Sequence, residues 1–193
     1  MKTNVKSYTD EELLTKAAQL DSFEGFPTDY WILGVQSNED SYNKPDDKFY
    51  IFKGIKFIMV TSGTTNSGAY GIKNFFKWNR KGVFVAKTNE WYQDLWANGK
   101  HKRKMKALVQ VNDILGYRDG NKNEKIEEIG EVIKGKFGIN FHGMSYKTKS
   151  FIKWLIGGWS VGCQVCNIGK DYYKILDLVK NQKRITYCLL KEF

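Results

Sequence analysis

Apolar and polar positions change their spacing twice along this chain. Between residues 9 and 20, Leu13, Leu14, Ala17, Ala18 and Leu20 recur at helical spacing behind Thr9, with Glu12 three positions after the threonine. A threonine and a glutamate so placed can each satisfy a backbone N–H of the other's turn, so the pattern predicts a capped amphipathic helix. From Tyr30 the texture turns to short β-rich runs at residues 30–36, 48–52, 57–61, 82–86, 107–111 and 138–142. Turn-forming clusters at 37–47, 62–68 and 119–124 separate some of them. Further on, Tyr172, Ile175, Leu176 and Val179 share one face of a helix predicted over 171–179, and 184–190 reads as a closing strand. The predicted order is helix, many strands, helix, strand, a mainly β (α+β) fold.

Length and composition narrow this picture. A chain of 193 residues, 41% hydrophobic and 15% aromatic, can bury one substantial core. With no repeat, linker or low-complexity tract, the expectation is a single domain over 1–193. The 31 Lys+Arg against 21 Asp+Glu give a formal charge of +10, suited to polyanions such as nucleic acid, anionic lipid surfaces or cell-wall polymers. Charge alone does not choose among them. The three cysteines, Cys163, Cys166 and Cys188, are odd in number and clustered late, which argues against a disulfide framework. No stretch reaches the roughly 18 apolar residues of a membrane span, and the polar start of the chain carries no signal-peptide hydrophobic region. The expectation is a soluble chain made in the cytosol, its final compartment left open.

Candidate chemistry centres on few residues. Of the two histidines, His101 lies in the basic run His101-Lys102-Arg103-Lys104 and reads as part of a solvated surface loop. His142 ends the apolar run Phe137-Gly138-Ile139-Asn140-Phe141-His142, where a strand would fix its backbone, and Gly143 permits a turn or close approach. Downstream, Cys163 follows the small, flexible segment Gly157-Gly158-Trp159-Ser160-Val161-Gly162. A thiol nucleophile needs access and a lowered pKa, and Gly162 would let a carbonyl oxygen approach N–H donors around the sulfur.

Taken together, His142-Gly143, sixteen intervening residues, and Ser160-x-Gly162-Cys163 resemble the signature of the L,D-transpeptidase catalytic domain. The resemblance covers residues 107–190 and implies a β-sandwich-like core with a helix after the cysteine. It implies Cys163 as nucleophile, His142 as its base, and Ser160 and Gly162 as parts of the catalytic turn, an ordinary turn serine being the other reading of Ser160. Gly143 and Trp159 would contact the substrate, a peptidoglycan stem peptide or related L,D-peptide, with no cofactor and no metal. The chain departs from the motif at Val161, where the family has a second histidine, and at Val165, where an arginine is usual. An imidazole and a guanidinium are thereby lost, which predicts a more apolar groove and hydrolysis competing with cross-linking.

Other signals are weaker. Cys163-x-x-Cys166 matches a redox dithiol or half a zinc site, but lies late after a β-rich region rather than at the start of a βαβ unit. The segment Asp119–Asn123 echoes a calcium loop, yet Glu124 stands where glycine is wanted and Gly130 where a bidentate glutamate is wanted. Aromatics near basic residues, as in Phe75-Phe76-Lys77, carry no single-strand-binding signature. The competing reading of the whole chain is a non-catalytic basic module that binds a cell-wall polyanion or nucleic acid.

Overall fold

The computed structural model describes residues 3–39, 41–77 and 79–193. Its first element is the predicted helix, α1 (Asp10–Ala18), closed by the expected reciprocal cap: the Thr9 hydroxyl accepts the Glu12 N–H at 3.2 Å and the Glu12 carboxylate accepts the Thr9 N–H at 2.7 Å. Then come β1 (Tyr30–Gln36), β2 (Asp47–Lys53), β3 (Lys56–Thr64), the short α2 (Ala69–Asn74), β4 (Val83–Ala86), β5 (Glu90–His101), β6 (Met105–Gln110) and β7 (Ile114–Asp119). The chain continues through β8 (Ile133–Gly135), β9 (Phe141–Gly143), β10 (Gln164–Cys166), α3 (Gly169–Leu178) and β11 (Ile185–Lys191). The mainly β, α+β expectation holds. α2, β5, β7, β8 and β10 have no counterpart among the sequence-based elements.

Eight strands close into a barrel in the order β1-β11-β5-β6-β9-β10-β3-β2, and β4, β7 and β8 form a separate three-stranded sheet. The topology thus differs from the expected sandwich-like core. Two parallel pairings, β1 with β11 and β9 with β10, complete a ring where a sandwich would have two stacked sheets. Parallel neighbours bury both faces, and β1 and β11 accordingly run as nearly continuous buried segments.

Alternation along β1 divides the core in two. Ile32 points inward with Phe49, Ile51, Trp96, Phe141 and Tyr187, while Trp31, Leu33 and Val35 face outward, where Leu13 and Ala17 of α1 cover them. Gly34 also faces inward: a methyl group there would lie 2.3 Å from the Tyr187 hydroxyl oxygen, so the glycine makes room for that ring. Tyr187 in turn donates to Gln164 Oε1 at 2.7 Å, a buried polar link to the strand that follows Cys163.

The segment with a calcium-loop echo is a self-satisfied turn. Asp119 accepts the N–H groups of Asn121 and Glu127, and the Glu127 carboxylate accepts the side-chain amides of Asn121 and Asn123. Its oxygens are therefore spent on the turn itself. No helix among the described residues is long and apolar enough to cross a membrane.

Candidate active site

Parallel pairing of β9 with β10 brings the motif residues together. Gln164 pairs with Phe141 and Val165 with His142, and the Gln164 N–H donates to Asn140 O at 3.0 Å, so Cys163 sits beside Asn140. Side chains alternate across a strand, which puts Phe141 and Gln164 on one face and Asn140, His142, Cys163 and Val165 on the other. Phe141 meets Phe49 and Trp96, on strands that are not its ring neighbours, so its face is the barrel interior. His142 and Cys163 therefore lie on the outside of the barrel. The same alternation turns Cys166 away from Cys163, and all three cysteines are free thiols.

The three-stranded sheet covers this outer face. Phe84 of β4 donates its N–H to Val161 O at 3.3 Å, and a methyl group on Gly162 would fall 2.6 Å from Phe84 O. Gly162 also has a φ of +125°, so both backbone conformation and close packing demand glycine before the cysteine. Ser160 fixes the same turn: its hydroxyl donates to Cys163 O at 2.9 Å and accepts the Gly162 N–H at 3.1 Å. That engagement takes up the Gly162 N–H within the turn itself.

His142 is fully buried, and its Nδ1 lies 2.8 Å from Gly143 O. A carbonyl only accepts, so Nδ1 carries the proton and Nε2 presents a bare lone pair, which has no hydrogen-bond partner. Gly143 thus fixes the tautomer of His142 through its carbonyl. It is not part of the cavity wall, and a methyl group there would collide with Phe151 and Tyr172, so close packing fills the space beside it.

His101 is the residue the sequence reading missed. It is buried at the end of β5 and stacks on His142, with ring centroids 4.0 Å apart and planes 23° from parallel. The basic run after it is a hairpin tip, in which Lys102 and Arg103 both have positive φ and Lys104 N–H returns to His101 O. Its tautomer follows from its neighbours. Asn140 Oδ1 accepts the Gln110 backbone N–H at 2.9 Å, so the Asn140 amide nitrogen is the group 3.0 Å from His101 Nδ1. An NH2 only donates, hence His101 Nδ1 accepts and Nε2 carries the proton.

The Cys163 sulfur and one nitrogen of each ring lie within 4.8 Å of one another. The thiol donates to Gly138 O at 3.5 Å, and burial pushes its pKa up to about 11 against the lowering effects of the Asn140 N–H and of Lys102. Burial, and next the neighbouring His101, drive His142 down to about 3, and burial with Lys102 takes His101 down to about 4. The resting site is a neutral thiol beside two neutral imidazoles, in contrast to the lowered thiol pKa expected from sequence.

Two histidines and a cysteine match the ligand types of a catalytic zinc site. The hydrogen bonds oppose that use: His101 Nδ1 is engaged by Asn140 and Nε2 is protonated, and lone pairs in stacked, near-parallel ring planes do not converge on one ion. The arrangement is a stacked pair of imidazoles, one carrying a donor N–H and the other a bare lone pair, beside a thiol.

A cavity of about 250 Å³ opens in front of the sulfur, lined by Cys163, His101, Trp159 and Val161 and by Arg118 of β7. Val165, by contrast, is buried among Met144, Phe151 and Ile156. The expected loss of polarity at Val161 and Val165 is thus met from other strands: an imidazole arrives from β5 and a guanidinium from β7. No protein-family model, curated protein or solved structure matches this chain.

Proposed function

We propose that the protein is a cysteine acyltransferase or peptidase acting at L,D-peptide bonds of bacterial peptidoglycan stem peptides, as the motif resemblance to L,D-transpeptidases implies. The observation that carries this reading is that a ring nitrogen of His142, whose Nε2 is buried and without a hydrogen-bond partner, lies within 4.8 Å of the Cys163 sulfur. In the first step Nε2 takes the thiol proton as the sulfur attacks the peptide carbonyl and the π pair moves to oxygen. His101 Nε2–H is the donor for that oxyanion, a role open to it because burial keeps the ring neutral and Asn140 holds the tautomer. When the tetrahedral intermediate collapses, the C–N bond breaks, the leaving amine takes the proton from His142, and a thioester remains on Cys163. Attack by water releases a shortened peptide, and attack by an amine gives a cross-link.

Defined tetrapeptide stems incubated with the protein and analysed by mass spectrometry test this. The expected result is shortened stems, cross-linked dimers or both, with an acyl adduct on Cys163 that Cys163→Ala abolishes in a folded variant. Intact stems and an unmodified Cys163 would overturn the reading.

A second reading, a basic binding module, is favoured by one feature. A groove of about 660 Å³ between β5, β6 and α3 is lined by Lys100, Lys106, Lys149 and Lys180, of which Lys180 pairs with Asp177. Polyanion affinity that falls steeply with salt, without turnover, would support it.

A further inference from the structure

The cavity in front of Cys163 contains two cations and no acid. Arg118 and Lys102 both line it, together with Asn79. The ion pairs found among the described residues, Lys87–Glu90 and Lys180–Asp177, lie elsewhere. The Arg118 guanidinium is held against two rings, its central carbon 5.4 Å from the Phe84 centroid and 5.1 Å from that of Phe137. Among the described residues its one hydrogen bond is a long one, 3.5 Å from an Nη to Gly82 O, and its buried Nε has no acceptor. Partial burial lowers the pKa of this group, with no acidic partner acting against it. A guanidinium so placed is costly until an anion supplies the missing acceptors.

We propose that Arg118 and Lys102 form a carboxylate-binding subsite for the acyl donor, beside the attacking sulfur. This rests on the reading of Cys163 as the nucleophile. The planar fork of an arginine matches the two oxygens of a carboxylate, and the aromatic contacts fix the plane of that fork. Lys102 adds a point charge from a backbone with φ of +47°, a conformation that costs a lysine energy and that the tight turn between β5 and β6 imposes. A cavity of about 250 Å³ lies below the usual range for drug-sized ligands, so it suits a group about as large as one amino-acid residue. The recognised carboxylate therefore lies within a residue's length of the attacked carbonyl. The spatial chain is continuous: Arg118 lies on Phe84, Phe84 packs against Gly162, and Gly162 precedes the nucleophile.

Two small alkylating agents of the same shape, iodoacetate and iodoacetamide, separate this proposal from the reading it rests on. Their rate ratio at Cys163 is compared with that of a neutral free thiol, N-acetylcysteine amide, which cancels changes in the thiol itself. The subsite predicts a ratio raised in favour of iodoacetate by about tenfold or more, falling toward the free-thiol value in Arg118→Gln and in Lys102→Asn. Lys102 is exposed on a hairpin tip, and asparagine tolerates positive φ, so the second variant keeps the test valid if Arg118→Gln misfolds. An unraised ratio with brisk iodoacetamide labelling would overturn the subsite and leave the nucleophile standing. If Cys163 resists both reagents, the nucleophile reading fails, and the subsite is decided by titrating N-acetylalanine, N-acetylalaninamide and inorganic phosphate against the Trp159 indole NMR signal. A shift by the acid alone sustains it; equal shifts by the amide, a shift by phosphate alone or no shift rejects it.

Discussion

His101 and His142 stack face to face with centroids 4.0 Å apart, yet their hydrogen bonds give them opposite tautomers, one offering a proton and the other a lone pair. Their losses should therefore differ in kind. In the proposed reaction, His142→Gln takes away the base and should lower the rate of acyl-enzyme formation by about 10²–10⁴. In the same reaction, His101→Ala takes away the oxyanion donor, at a cost of about 10²–10³. Single-turnover thioester formation measures both, and wild-type rates in His101→Ala would remove that residue from the chemistry.

The neutral resting pair fixes a pH profile. With Cys163 pushed up to about 11 and His142 down to about 3, no thiolate–imidazolium pair forms between those values. Alkylation of Cys163 by neutral iodoacetamide should climb continuously from pH 6 to 10, and remain faster than at Cys166 and Cys188, which are buried and also raised by burial. A rate plateau reached near neutrality would show a preformed ion pair and contradict the profile.

Acid should destabilise the fold through the same rings. Both imidazoles have folded pKa values below the ~6.5 of an unfolded histidine, about 4 for His101 and about 3 for His142. The unfolded chain thus binds more protons in that window, and stability is lost as pH falls from about 6.5 toward those values. Asp47 acts with the opposite sign, since burial and Asp46 raise it to about 7 and its contribution falls as pH rises toward that value. Variants isolate the histidines: urea midpoints of His101→Gln and His142→Gln should decline less than those of the native protein between pH 6.5 and 4. Parallel declines would disprove this origin of the acid sensitivity.

Gly34 and Tyr187 form a steric pair suited to a double-mutant cycle. Gly34→Ala places a methyl group 2.3 Å from the tyrosine oxygen and should cost ~1–3 kcal/mol of unfolding free energy, the usual penalty for overpacking. In a Tyr187→Phe background the same substitution should cost less, because the colliding oxygen is gone. Equal costs in the two backgrounds would place the strain elsewhere, for example at Leu189 Cδ1, 3.1 Å away.

What the sequence made legible follows from how local each signal is. The capping box of α1, the apolar face of α3 and the runs that became β1, β2, β3 and β6 each lie within a few adjacent residues. β5 escaped notice because Asp94, at φ +52°, and a register shift opposite Ile185 and Tyr187 break its two-residue alternation. β10 is three residues long and exists through its pairing with β9 and β3, which no local pattern encodes. His142 and Cys163 were readable through motif spacing. His101 looked like part of a solvated basic run, although Ala97, Gly99 and His101 pair with Val109, Ala107 and Met105, an alternation that marks Lys102–Lys104 as a hairpin tip. Arg118 lies 45 residues from Cys163 in sequence (163 − 118) and reaches the cavity through the β4–β7 sheet, so only the tertiary structure reveals it.

The place of β11 in the barrel bears on the order in which this protein can mature on the ribosome. β11 lies between β1 and β5, and its Tyr187 pairs with Ile32, 155 positions earlier (187 − 32). Until residues 185–191 have emerged, two long strands wait with unpaired edges, and closing so distant a contact belongs to the slow class of folding steps. Ring closure therefore waits on residues 185–191, and the unpaired β1 and β5 edges are where the open ring is most exposed to edge-to-edge aggregation.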